Sequence, residues 1–346
     1  MNSLAQPNLF KFATSELSQD AFICWLLSWA DPKYQHVDTN LHLCGKYLIK
    51  AFFNKHDNPL SVAIEKVEVR KQDSYIDVLC IVNEQFAIII EDKTQTTSHG
   101  TQLADYLAKI EKRSFDKENI FPIYFKTYDQ GSYSHVEANQ YKVFSREDFQ
   151  SILDEGHRMG INNAIFQDFR LHLKGIEDRV QSYLEPNVGK WHSQAWTGFY
   201  MALQKNLNPG QLTGNWKKVN NKSGGFMGFW WGVSCKPYLL LAHEKLCFKM
   251  DAKNLNPNHP KKDRDDWCKY LRESNTSLGL NLDFKKVRFS KKAKAKTLLI
   301  IDKDYRNFDP QGRIDIAATI AYLKQVEELV KKAQELSNNS ECLPNK

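Results

Sequence analysis

The chain has 346 residues, 42% hydrophobic and 26% charged, enough to bury a core in one large domain or two ordinary ones. No run of about 18 apolar residues occurs, which argues against a membrane-spanning helix, and the N-terminus lacks the basic flank and apolar segment of a signal peptide, so a cytoplasmic setting is expected. The net charge of +7 is uneven: residues 1–186 hold 20 of the 48 Lys and Arg and 26 of the 41 Asp and Glu, a net of −6, which leaves +13 for residues 187–346.

Thr14 or Ser15 is placed to cap a helix through ELSQDAFICWLLSWA, where Leu17, Phe22, Leu26 and Trp29 recur at helical spacing as one apolar face. Asp31-Pro32 ends it, and a second helix covers Leu41 to Phe53. The period then changes to two: Val67 and Val69 alternate with Glu68 and Arg70. SYIDVLCIV and FAIIIEDK are short apolar runs separated by Asn83-Glu84-Gln85, the pattern of a hairpin. GTQLADYLAKIEKR reads as a helix, IFPIYFKTY and QYKVFS as strands. SREDFQSILDEG is a helix opened by Ser145 with Asp148 three later, a capping-box spacing, and Ala164 to Leu184 is a long helix. The order α, α, β, β, β, α, β, β, α, α predicts an α/β sandwich around a central mixed sheet.

Glu185-Pro186-Asn187 is the expected joint between a domain of residues 1–186 and one of residues 187–346. The second part begins with the aromatic-rich helix WHSQAWTGFYMALQKNL and continues as short strands through GGFMGFWWGVSCKPYLLLAHEKLCFKMDA. A loop from Asn254 to Lys262, a short helix in RDDWCKYLRES, a strand from Thr297 to Asp302 and a closing amphipathic helix complete an α+β pattern, with the last ten residues frayed. Seven scattered cysteines with no CxxC pair argue for reduced thiols, against a disulfide framework or zinc knuckle.

The chemistry concentrates where the hairpin ends. Side chains alternate along a strand, so Glu91 and Lys93 share one face while Asp92 points to the opposite face or to solvent. A turn at Asn83–Gln85 brings Asp77 beside Glu91, 14 residues later in sequence. Two carboxylates at a sheet edge are costly unless paired or bound to a cation. Mg²⁺ suits them, with hard oxygen ligands and positions left for water and phosphate. A neighbouring ammonium can orient or deprotonate a water, or stabilise charge on a phosphate. The bland reading of Glu91 and Lys93 is a cross-strand ion pair, worth about 0–1 kcal/mol at a surface.

Asp77 with Glu91-Asp92-Lys93 resembles the PD-(D/E)xK nuclease superfamily, whose signature is an Asp on one strand and acid-x-Lys on the next within an αβββαβ core. Ile76 stands where the family name has Pro. The resemblance covers roughly residues 9–155, and the combination resembles one bacterial branch in which ENK commonly stands where EDK stands here. It implies a restriction-endonuclease-like core and adds two features: an acid on the first helix, matched by Glu16, and a Gln with a Tyr on the helix after the motif, matched by Gln102 and Tyr106. By that resemblance Glu16, Asp77 and Glu91 would bind Mg²⁺ or Mn²⁺, Lys93 would act on the water or the phosphate, and Gln102 would help position the site. DNA is the implied substrate, RNA is not set aside, and a homodimer follows if both strands of a duplex are cut. Restriction or phage defence is the setting that the family suggests.

The basic half falls outside the resemblance. Lys285, Lys286, Arg288, Lys291, Lys292, Lys294 and Lys296 lie in one twelve-residue stretch and, with Lys261, Lys262 and Arg264, form a candidate phosphate-tracking surface. Phe226, Phe229, Trp230 and Trp231 offer stacking faces, although at strand spacing they suit a core better. Two other readings of the whole chain stand beside a nuclease: a nucleic-acid-binding protein with an inactive nuclease-like fold, and a protein-interaction module.

Overall fold

Ser15 accepts a hydrogen bond from the Ser18 amide and opens α1 (Glu16–Ser28). The structure is a computed structural model that describes residues 7–98, 100–113, 115–186, 191–207, 214–220, 224–232, 237–289, 293–301 and 303–341. Phe22, Ile23, Leu26 and Leu27 bury the inner face of α1, but Leu17 is 57% exposed, contrary to the expected stripe. In the first turn the inward positions belong instead to Gln19 and Asp20, both buried. Asp38 caps α2 (Thr39–Lys55). A Cβ at Gly45 would stand 2.6 Å from the Leu26 carbonyl oxygen, so only glycine lets α2 approach α1 this closely.

The first sheet contains β1 (Val67–Asp73), β2 (Ile76–Val82), β3 (Phe86–Lys93), β4 (Ile120–Lys126) and β5 (Lys142–Ser145), in that order. The first three pair antiparallel and the last two join in parallel, which makes the sheet mixed as expected. Asn83 and Glu84 take φ of 53° and 57° in the turn between β2 and β3, a left-handed pair that suits a tight hairpin. The Asn83 side chain holds this conformation by accepting from the Glu65 and Lys66 amides and donating to the Ala63 carbonyl. α3 (Gln102–Glu111) follows β3 and α4 (Ser134–Ala138), a short helix not expected from the sequence, precedes β5. The capping box of Ser145 and Asp148 opens α5 (Arg146–Arg158), and α6 (Ala164–Gln181) is the long helix.

Two cores flank this sheet. Val78, Cys80, Ile88 and Ile90 face α1, α2, α5 and α6, while Leu79, Ile89 and Tyr124 face α3 with Leu103, Tyr106 and Ile110. A sheet covered by helices on both sides explains why β2 and β3 read as near-continuous apolar runs.

The chain divides into two compact units, Met1–Asp178 and Arg179–Lys346. The second carries α7 (Ser193–Leu207), β6 (Asn215–Val219), β7 (Phe226–Gly232), β8 (Tyr238–Ala242), β9 (Lys245–Asp251), α8 (Pro260–Ser277), β10 (Lys285–Lys286), β11 (Ala295–Ile301) and α9 (Ile316–Glu341). Its strands form an antiparallel sheet in the order β10-β11-β9-β8-β7-β6. Phe229 and Trp231 lie in the core of this unit, as strand spacing suggested. α8 starts earlier and ends later than RDDWCKYLRES implied, because Pro260 at its first position is compatible with helix and draws Lys261 and Lys262 out of the expected loop. α9 runs to Glu341, so the expected fraying from 337 is not found; residues 342–346 lie outside the described part.

Candidate active site

The hairpin register builds the site. Val78 pairs with Ile90 and Leu79 with Ile89, which sets Asp77 opposite Glu91 at the open end of the two strands. Glu91 is fully buried, and Lys93 Nζ stands 2.5 Å from its Oε1 and 3.7 Å from Asp77 Oδ2. Lys93 stabilises the ionised Glu91 carboxyl, while Asp77, its other neighbour, opposes that charge. Asp77 is anchored from two sides: Oδ2 accepts from the Asp92 amide at 2.9 Å and Oδ1 from Gln72 Nε2 at 3.1 Å. The sequence reading therefore placed Asp77, Glu91 and Lys93 where the fold brings them together.

Electrostatics follows from this crowding. Burial, then the charge of Asp77, pushes the Glu91 carboxyl up to about 8. Burial alone would depress Lys93, but Glu91, Asp77 and Glu16 more than offset it and hold the ammonium above its usual range. The site thus contains an acid that ionises reluctantly and a cation that stays charged.

Glu16 lies on another branch of the network. Its Oε1 accepts from the Thr94 amide at 3.1 Å and from the hydroxyls of Thr94 and Thr96 at 3.3 and 2.5 Å. Burial opposes its charge, but the donors from Thr96 and Thr94 and the Lys93 ammonium win and lower its pKa. It ties the N-terminus of α1 to the segment after β3. Among the described residues no three His, Cys, Asp or Glu side chains converge as a ready cation cage. Gln102 donates to the Tyr106 hydroxyl at 3.0 Å along α3, and Tyr106 is buried within the electrostatic reach of Glu91 and Asp77.

Asp92 does point away from Glu91, yet it is not in solvent. It is 0% exposed and receives a short hydrogen bond from Gln19, whose own oxygen accepts from Thr127 at 2.9 Å. Asp20 lies beside it; burial and then the charge of Asp20 raise Asp92, while burial and then the charge of Asp77 raise Asp20, against a hydrogen bond with Asp92 that lowers it. This acidic pair on the α1 face was missed from the sequence. The available signal was spacing: Gln19 and Asp20 follow Glu16 by three and four residues, so they share its helix face. Lys126 was missed as well. It ends β4 as Lys93 ends β3, pairs with Lys93 in register, and donates to the carbonyls of Thr94 and Thr96. Burial lowers it to about 8. Tyr141, also overlooked, buries a hydroxyl with no partner among the described residues.

The basic stretch of the second unit divides. Lys285, Lys286, Arg288 and Lys294 are exposed, although Lys286 pairs with Asp265 at 2.7 Å. Lys291 and Lys292 lie outside the described residues. Lys296 is only 5% exposed and donates to the Ala293 carbonyl, because its position on β11 points inward with Leu298. Arg264 is likewise 2% exposed and bound to the Val287 carbonyl, so neither residue belongs to an outer phosphate-tracking face.

A family model described as the PD-(D/E)XK nuclease superfamily matches residues 7–172. No curated protein and no solved structure matches the chain.

Proposed function

Residues 7–172 belong to the PD-(D/E)XK nuclease superfamily, and from that premise we propose that the protein is a metal-dependent endonuclease that hydrolyses phosphodiester bonds of DNA. The observation that carries the reading is the register that sets Asp77 opposite Glu91 with Lys93 Nζ between them. The donor set fits a divalent cation: the buried Glu91 carboxyl and the Asp77 carboxylate oppose each other's charge, which a hard cation shared by their oxygens would relieve. Asp77 and Glu91 would hold Mg²⁺ or Mn²⁺, with Glu16 as the third acid of the proposal. When bound, the cation polarises the phosphodiester and offsets the charge of the carboxylates and the substrate.

The chain's own residues supply the rest. Lys93, held above its usual range by the carboxylates around it, neutralises negative charge on the phosphate or orients a water. Gln102, fixed by Tyr106, borders the site from α3 and positions the substrate. The exposed Lys285, Lys286, Arg288 and Lys294 hold nucleic acid by charge. A homodimer belongs to the proposal, since one site of this kind cuts one strand. Restriction or phage defence in the cytoplasm is its setting, on family analogy alone.

Cleavage of single-stranded DNA, duplex DNA and RNA, with Mg²⁺ and with EDTA, tests the reading. DNA cleavage that requires Mg²⁺ and falls at least about 100-fold in Lys93→Ala is expected. Equal activity of wild type and Lys93→Ala on all three substrates sinks it. One observation favours a second reading: Lys93 already neutralises Glu91 without a cation, as in an inactive fold that only binds nucleic acid or a protein partner. Salt-dependent DNA binding without cleavage in the same assay supports that alternative.

A further inference from the structure

A cleft of about 930 Å³ opens at the start of α8, within the size range of small-ligand sites. Its walls are of two kinds. Pro257, Pro260 and Phe289 present apolar surface, while the exposed Lys261 and Lys262 bring two ammonium groups; Lys296, buried with its ammonium on the Ala293 carbonyl, completes the lining. Lys261 and Lys262 are exposed in the first turn of α8, and His259, the residue before that helix, gives its first amides no side-chain cap. Pro260 has no amide hydrogen and the Asp263 amide donates to the His259 carbonyl, so the amides open to an acceptor are those of Lys261 and Lys262.

Phe289 is held from behind by cations that do not open into the cleft: Lys296 Nζ lies 5.3 Å from its ring centroid, and the buried Arg264 guanidinium, bound to the Val287 carbonyl, lies 5.6 Å from it. Asp265, the carboxylate on the cleft wall, is already paired with Lys286 at 2.7 Å. With that acid occupied, the exposed Lys261 and Lys262 leave a positive edge on a partly apolar hollow.

We infer that this cleft binds a nucleoside phosphate, the phosphate on Lys261, Lys262 and the first amides of α8, the planar body against the prolines and Phe289. Inorganic phosphate has no use for the apolar wall, and an uncharged aromatic has none for the lysines. The ligand has two sources, a nucleotide within a nucleic-acid strand or a free nucleotide. The inference deepens the nucleic-acid reading given above, but it does not need the hairpin site to cleave anything.

The full-length chain is titrated in EDTA, so that nothing is cut, with a 5′-phosphorylated fluorescent oligothymidylate and, in competition and alone, with adenosine monophosphate. Lys261→Ala/Lys262→Ala is expected to weaken binding at least about tenfold and to lower the slope of log affinity against log salt by about 1.4, since each single-strand phosphate contact contributes about 0.7. Both residues are exposed, so the variant keeps the fold. Lys331→Ala/Lys332→Ala, the same charge change on α9, is expected to leave affinity and slope unchanged. Loss of strand binding alone supports a nucleotide within a strand; loss of monophosphate binding supports a free nucleotide. A wild type that binds neither ligand, or a Lys261/Lys262 variant equal to wild type on both, overturns the inference. Failed cleavage with Mg²⁺ would remove the nuclease reading and leave this result intact.

Discussion

Glu91 sets the pH behaviour of the hairpin site. Its carboxyl rises from an ordinary 4.5 to about 8 because burial and Asp77 both oppose its charge. The folded chain therefore holds this proton more tightly than the unfolded chain does. The stability this provides is complete below pH 4.5 and is lost as pH rises through about 8, each pKa unit being worth about 1.4 kcal/mol. A divalent cation needs the ionised form, so its binding should displace the proton. Thermal melts with Mg²⁺ and with EDTA at pH 6, 7 and 8 should show a Mg²⁺-dependent rise in Tm that grows with pH. The apparent affinity should gain up to about tenfold per unit. Glu91→Gln should lose the Mg²⁺ effect and, in EDTA at pH 8, melt above wild type. A Mg²⁺ shift that is equal at all three pH values and survives in Glu91→Gln would remove Glu91 from the ligand set. This residue and its two neighbours were legible in the sequence because period two and a three-residue turn fix which side chains meet. Asp92 was legible only in direction, since alternation says nothing about what covers the other face.

At the scale of elements, Arg146 joins pieces that are distant in sequence. It opens α5, is 1% exposed, and binds Glu177 on α6 at 2.7 Å, Asp129 at 2.6 Å and the Thr127 carbonyl at 2.8 Å, both acceptors just beyond β4. Thr127 in turn holds Gln19, which holds Asp92, so α1, β3, β4, α5 and α6 share one network. Removing one partner of a buried pair leaves the others desolvated and uncompensated. Arg146→Ala should therefore lower the unfolding free energy of the first unit by about 3 kcal/mol, at the lower end of such losses because Asp129 and Glu177 keep some solvent contact. Urea unfolding followed by far-ultraviolet circular dichroism reads this, and an unfolding free energy within about 0.5 kcal/mol of wild type would show the network to be dispensable. None of these links was visible in the sequence. The elements were, because caps, turns and periodicity are local signals, as at Ser15, Asn83 and Ser145. Long-range polar pairs carry no local signal, and a Gln or Asp inside an apolar helix reads as solvent-facing until its neighbours are known. That is how Leu17 was assigned inward while Gln19 and Asp20 were passed over.

Across the whole molecule the charge asymmetry makes the sharpest demand. A net of +13 in residues 187–346 identifies a polyanion surface only if its cations reach solvent. A run of lysines in sequence hides the fact that a strand sends alternate residues inward, and Lys296 on β11 is one of these. Lys285, Lys286, Arg288 and Lys294 stay outside. The two groups should behave differently in one experiment. Replacing the four exposed residues with Ala should lower the salt slope of duplex DNA binding by up to about 3.6, at about 0.9 per phosphate contact, with the melting temperature nearly unchanged. Lys286 has to open its ion pair with Asp265 before it can reach a phosphate. Lys296→Ala should do the reverse. The slope should hold while Tm falls, since the substitution removes a buried stem, a hydrogen bond to Ala293 and a contact with the Phe289 ring. If Lys296→Ala lowered the slope as much as any exposed residue, its ammonium would have to reach phosphate from inside the sheet, and the division of this surface into outer and inner cations would fail.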